Sequence, residues 1–306
     1  MSALTKVTVS PHIHSGKSTS GIMRDVLIAL LPATVAGVII FGLRALLVVA
    51  LCVICSVGFE ALFNVITKRE QTVGDLSAAV TGLLLALNLP ANLPLWQCVV
   101  GSLFAIIVVK CLFGGIGRNV VNPAITARVF MLVAFGSMAK AAFPADAVAS
   151  ATPLAAEQMP DLMTLFLGNH GGAIGETCAL ALLVGGVYLI VRRVITWHMP
   201  VVFIGTVFVF SLFMEGFDVA AALAQILAGG LFIGAFFMAT DYTTSPPTAW
   251  GKVIFAIGAG LLTCLIRYFG NYPEGVSFAI LLMNILNPYI CSWTRNKVFT
   301  VGGKKA

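Results

Sequence analysis

The sequence predicts an all-α polytopic membrane protein of about ten transmembrane helices, arranged as two inverted five-helix repeats. Hydrophobic residues make up 59% of the chain and charged residues 10%, with a mean hydropathy of +1.01, a balance outside that of soluble globular domains. The 306 residues suffice for about ten crossings of roughly 20 residues each. A weak internal repeat supplies the third observation. GLLLALNLPANLPLW (Gly82 to Trp96), an apolar run and NVVNPAITARVFML (Asn119 to Leu132) parallel GAFFMATDYTTSPPTAW (Gly234 to Trp250), an apolar run and NYPEGVSFAILLM (Asn271 to Met283). Five helices per half is an odd number, so the halves enter the membrane in opposite directions.

Apolar runs separated by Gly, Pro, Asn or charge give the individual elements in order. The N-terminus is polar with no evident cleavable signal peptide, and the first predicted helix is Val26 to Phe41. Ala45 to Ile66, Leu76 to Leu89, Leu95 to Leu112 and Ala124 to Ala142 complete a first repeat within residues 1–142. Residues 143–174 form the one long polar interruption. Gly175 to Val191, Met199 to Met214, Leu223 to Ala239, Val253 to Ile266 and Val276 to Ile290 make the second repeat within 175–306. Several runs are short for a full span; in a bundle, neighbouring protein and internal water satisfy the backbone groups that a short helix leaves free.

Charge counting orients this topology. With both termini cytoplasmic, fifteen of the eighteen Lys and Arg fall on the inner side, and only Arg44, Lys140 and Arg267 fall outside. The net charge of +6 therefore reads as membrane topology and not as nucleic-acid binding. The loop at 143–174 then lies on the extracytoplasmic side. Seven cysteines, mostly within apolar segments, indicate reduced or buried thiols. Cys52 and Cys55 lie one turn apart on one helix, short of the four ligands of an iron–sulfur cluster.

Acidic residues within or beside spans are costly and are candidate ion or proton sites: Glu60 in the second helix, Asp241 closing FFMATD, and Glu274 in NYPEG. A helix-terminal carboxylate or a pairing such as Glu274 with Arg267 is the structural alternative. Asn122-Pro123 and the NYPEG string read as helix starts, with Pro in the first turn, or as sites where free N–H groups meet an anion such as a flavin phosphate or ring oxygen. SGKST at Ser15 to Thr19 is no phosphate-binding loop, because Pro11 stands where the first Gly belongs and no strand precedes it. The histidines show no paired metal-ligand spacing, and no catalytic residue or metal site is indicated.

Six strings in a fixed order carry a resemblance over nearly the whole chain: SPHIHSGKSTSGIMRDVLIALLPA, GDLSAAVTGLLLALNLPANLPLW, GGIGRNVVNPA, DAVASATPL, FFMATDYTTSPPT and YPEGVSFAILLMN. With these the chain resembles the NqrB/RnfD family. That family holds the RnfD membrane component of the Rnf electron-transport complex and, as a more distant likeness, the NqrB component of the sodium-pumping NADH:quinone oxidoreductase. The resemblance implies a membrane component of an ion-translocating ferredoxin:NAD oxidoreductase, in a bacterial inner membrane, with other Rnf subunits as partners. It also implies FMN held as a phosphoester on Thr152, installed by a flavin transferase. The family's flavinylation pattern is matched by Asp146, Ala147, Val148, Ser150, Ala151 and Thr152, while Ala149 departs where a hydroxyl residue is usual. A non-covalent riboflavin occurs in some members, and acids at the positions of Glu60, Asp241 and Glu274 are linked there to passage of Na+ or H+. The chain lacks a dinucleotide fingerprint and cysteine-rich cluster motifs, so NAD and ferredoxin binding fall to partners. Two other readings remain: the NqrB component of the quinone-reducing pump, disfavoured by the short polar stretch before Val26, and a secondary transporter with inverted repeats and no redox role.

Overall fold

Ser18 opens the first helix by a cap: its hydroxyl accepts the Gly21 N–H at 3.1 Å, and α1 runs Thr19–Phe41, starting well before Val26. A polar cap, which an apolar-run reading passes over, sets that start. The computed structural model describes residues 18–136, 154, 160–168, 170–270 and 275–295, and among these it is all helical. Gly42, at φ +70°, turns the chain into α2 (Leu43–Ile66). A short 3-10 turn, Val73–Asp75, leads through Leu76 at φ +64° into α3 (Ser77–Leu87). Next, α4 (Leu95–Leu103) passes into a π-helical stretch, Phe104–Cys111, in which the Leu112 N–H reaches back to the Ile107 carbonyl at 3.0 Å.

Asn122 caps α5 (Pro123–Ala134) by accepting the Ala124 and Ile125 N–H groups at 3.0 and 3.4 Å, with Pro123 in the first turn, so NPA is a helix start here. The predicted extension of this helix to Ala142 runs into residues outside the described set. Within the stretch expected to be a loop, α6 (Leu162–Leu167) forms behind an Asp161 cap. After α7 (Ala179–Val191) and α8 (His198–Met214), the predicted single helix Leu223 to Ala239 is in fact two. α9 (Val219–Leu227) and α10 (Leu231–Ile233, continuing as a π-helical Gly234–Met238) meet at 65°. The cause lies in Ala228-Gly229-Gly230, where Gly229 takes φ +72° and Arg267 binds the carbonyls of Gln225 and Ala228 at 2.6 and 3.3 Å in place of helical amides. α11 (Ala249–Phe269) and α12 (Val276–Trp293) end the described chain.

α1, α2, α11 and α12 are long and apolar enough to cross a membrane, and the bent pair counts as a fifth span; five shorter apolar helices pack among them. Ile39, Ile54 and Val191 are 77%, 68% and 74% exposed, and such apolar surface on several helices needs lipid around it. The protein is a multi-pass membrane protein. α1 packs on α7, and α5 on α12; α2 packs on α3 and α4 as α8 packs on α9 and α11. The first contact is close enough that a Cβ on Gly185 would strike the Ala29 carbonyl.

Candidate functional site

Charged side chains inside this bundle are few and paired. Glu60 on α2 is 2% exposed and Lys110, in the π-helical end of α4, is 3% exposed; Lys110 Nζ stands 2.8 Å from Glu60 Oε1. The ammonium also donates to Ser77 Oγ at 2.6 Å, and Ser77 in turn donates its hydroxyl and N–H to Asp75 Oδ1 at 2.5 and 2.8 Å. Thr72 donates to Glu60 Oε1 at 2.9 Å and accepts from Asn64 at 3.0 Å. Glu60 Oε2 is buried and has no hydrogen-bond partner among the described residues. The network is assembled where the left-handed Leu76 breaks the chain ahead of α3, so the start of that helix and the charged groups share one spot.

A second pair lies elsewhere in the core. Arg128 of α5 reaches Glu176 Oε1 at 2.6 Å and Asn88 Oδ1 at 2.6 Å. Glu176 belongs to the segment before α7, whose Ile174 and Gly175 N–H groups bond the carbonyls of Leu89 and Leu87 at 3.0 and 2.7 Å. Nearby, Asn122 Nδ2 donates to the Met238 carbonyl at 3.3 Å. The Asn284 amide, oriented to satisfy both its ends, donates to the Thr244 carbonyl and accepts the Asn122 N–H. These bonds tie α3, α5, the end of α10 and α12 to one another.

Beside the first pair opens a cavity of about 780 Å3, its mouth included, lined by Ser77, Lys110, Asn119, Asn122 and Asp241 and walled by Val80, Leu84 and Phe236. Asp241 sits beyond the helical end of α10, where its carboxylate accepts from Thr243 Oγ1 at 3.2 Å and Thr244 Oγ1 at 3.1 Å. Burial raises its pKa from the ordinary aspartate value, against these hydroxyl donors, which lower it. The structure thus links two of the predicted acids, with Glu60 holding the lysine that lines the cavity of Asp241.

Glu274, Thr152, Asp146, Ser150 and Ala151 lie outside the described residues. Arg267, the alternative partner for Glu274, is held by the α9 carbonyls. All seven cysteines are free, and Cys52 on α2 and Cys98 on α4 are buried. Among the described residues no group of three or more His, Cys, Asp or Glu converges on a metal position.

Sequence reasoning missed Lys110, Arg128 and Glu176 as site residues. Charge counting treats Lys110 and Arg128 as charges at the inner membrane surface; in the structure both side chains are buried in ion pairs within helices and neither is a loop charge. The available signal was a lone charge in an apolar run, as in FAIIVVKCLF and ITARVFMLV.

Comparison with known proteins agrees over nearly the whole length. The chain is 48% identical over 306 residues to the D component of the Na(+)-translocating ferredoxin:NAD(+) oxidoreductase complex of Acetobacterium woodii, covering 96% of this chain and 95% of that protein. It is 40% identical to the D component of the proton-translocating ferredoxin:NAD(+) oxidoreductase complex of Clostridium ljungdahlii, with 94% of each covered. To the D component of the ion-translocating oxidoreductase complex of Halorhodospira halophila it is 35% identical, over 97% of this chain and 96% of the relative. A family model matches residues 6–300, and the chain therefore belongs to the NQR2, RnfD, RnfE family.

Proposed function

We propose that the protein is the RnfD component of an ion-translocating ferredoxin:NAD oxidoreductase complex, and that it couples electron passage to movement of Na+ or H+. The observation that carries this reading beyond family membership is the buried Glu60–Lys110 pair beside the cavity of Asp241. Charges there persist only when compensated, since an unpaired ion in a dry interior costs several kcal/mol. Lys110 neutralises Glu60, while Glu60 Oε2 stays open for a further cation or proton. A cation that enters competes with the Lys110 ammonium, and Ser77 and Asp75 offer that ammonium an alternative seat.

Two flavins belong to the proposal. FMN is held on Thr152 by a phosphoester that a flavin transferase installs, in the Asp146, Ser150, Ala151, Thr152 string on the extracytoplasmic side. A non-covalent riboflavin suits the cavity, whose Phe236, Leu84 and Val80 walls match an apolar ring face and whose Asn119 side chain matches its polar edge. A flavin supplies one- and two-electron chemistry when bound. Other subunits of the complex bind NAD and ferredoxin.

Two inverted repeats, residues 1–142 and 175–306, are part of the same reading. Three correspondences support them. A left-handed residue precedes α3 at Leu76 and α10 at Gly229. Glu60 near the end of α2 bonds Lys110 of α4, and Glu215 after α8 accepts from Tyr268 of α11 at 2.8 Å. The first helices of the halves pack on each other, as do the last. With the N- and C-termini on the cytoplasmic side of a bacterial inner membrane, Glu60 lies near the inner surface and Glu215 near the outer.

The test is in-gel flavin fluorescence of the denatured protein. Thr152→Ala abolishes the band and Thr164→Ala leaves it. A fluorescent band that survives Thr152→Ala, or an unmodified mass for the wild-type peptide carrying Thr152, refutes covalent attachment there.

A further inference from the structure

A second cavity, of about 1460 Å3 with its mouth included, opens at the end of the bundle where α7 stops and α8 and α11 begin. Three basic side chains line it: Arg193, His198 and Lys252; its lining holds no carboxylate among the described residues. Lys252 Nζ donates one bond, to Thr196 Oγ1 at 3.0 Å, and an ammonium has three to give. His198 Nδ1 is buried without a hydrogen-bond partner among the described residues, its ring stacked on Trp197 at 4.2 Å. The 17-residue α8 starts at His198 with no side-chain cap, so the free His198 and Met199 N–H groups (Pro200 has none) and the positive dipole end lie at the same space. Concave shape, positive charge and uncapped amides select a compact anion with several acceptor oxygens.

The surroundings indicate where that anion comes from. Trp197, Tyr242 and Trp250 are 53%, 57% and 76% exposed around this end of the bundle, as aromatic side chains are at a membrane–water interface. Along the helices that leave the cavity, Val191, Val201 and Ile254 expose apolar surface on which acyl chains can lie. We propose that this cavity binds the phosphate head group of an anionic phospholipid, with Lys252, His198 and the start of α8 on the phosphate oxygens. The lipid then wedges the α7–α8 connection against the 245–247 turn, beside the Tyr242 hydroxyl that donates to the Val194 carbonyl.

The experiment uses the whole complex in nanodiscs. Melting and retained lipid are measured in phosphatidylcholine alone, in phosphatidylcholine with phosphatidylglycerol, and in phosphatidylcholine with inorganic phosphate in the buffer. Phosphatidylglycerol raises the melting temperature and co-purifies with the wild type; Lys252→Gln weakens its retention about fivefold, and Lys252→Arg keeps it. His198→Gln gives a second reading should Lys252→Gln fail to assemble. Equal retention by wild type and both glutamine variants overturns the site. Stabilisation by inorganic phosphate without any by phosphatidylglycerol overturns the lipid as the source and leaves a soluble phosphate compound as ligand.

Discussion

The two buried ion pairs look alike in distance and burial, and they are built from different cations. Arg128 forks between Asn88 and Glu176 and so joins the first half of the chain to the segment that opens the second. Lys110 is a single ammonium handed between Glu60 and Ser77, all three within the first half, with Lys110 and Ser77 at the edge of a cavity. A guanidinium is planar, permanently charged and fixed by its geometry, whereas an ammonium on a flexible stem moves and accepts substitutes. One pair is a clasp and the other an exchangeable contact.

The largest effect that separates them is expected for Arg128→Ala, which leaves Glu176 and the Asn88 oxygen buried without their cation. Loss of about 3–5 kcal/mol follows, read as a fall in melting temperature of the nanodisc-embedded complex. Lys110→Met should cost less, about 2–3 kcal/mol, because Thr72 still donates to Glu60. Adding Glu60→Gln to it restores most of that loss, and a double-mutant cycle giving no coupling between these positions would remove the pair as a unit. Arg128→Lys tests the fork itself, at about 2 kcal/mol, since one ammonium cannot reproduce both bonds. For transport, Glu60→Gln in membrane vesicles abolishes ion movement at every Na+ concentration while Arg128→Lys retains it; unchanged pumping by Glu60→Gln takes Glu60 off the path. The smallest effect belongs to Thr72→Val, about 1 kcal/mol, from one hydrogen bond to Glu60.

The same contrast explains what the sequence disclosed. Helices were legible wherever an apolar run was long, as in α2 and α12, because lipid and core both demand apolar side chains. Starts set by polar caps, such as Ser18 and Asp161, were not, and neither was the bend at Gly229, which depends on Arg267 arriving from α11. Of the site, Glu60 and Asp241 stood out as acids near apolar helices. Lys110 and Arg128 did not, since a base in a membrane sequence is ordinarily read as a surface charge. Only the contact with a carboxylate from a distant helix distinguishes a buried base from an interfacial one, and a linear pattern carries no record of it.

The π-helical end of α4 has a consequence in rotational phase. Across that stretch carbonyls bond amides five residues on, as Ile107 does with Leu112, so each turn takes up more residues than the usual 3.6. Everything downstream is turned about the axis by that surplus, and Lys110 sits within it. Forcing ordinary winding on the same number of residues would carry Lys110 around by up to about 100°, away from Glu60, with the chemistry of every side chain intact, and a single-residue deletion between Phe104 and Val109 would bring it back. The ion pair is therefore specified by a count of residues as much as by their identities.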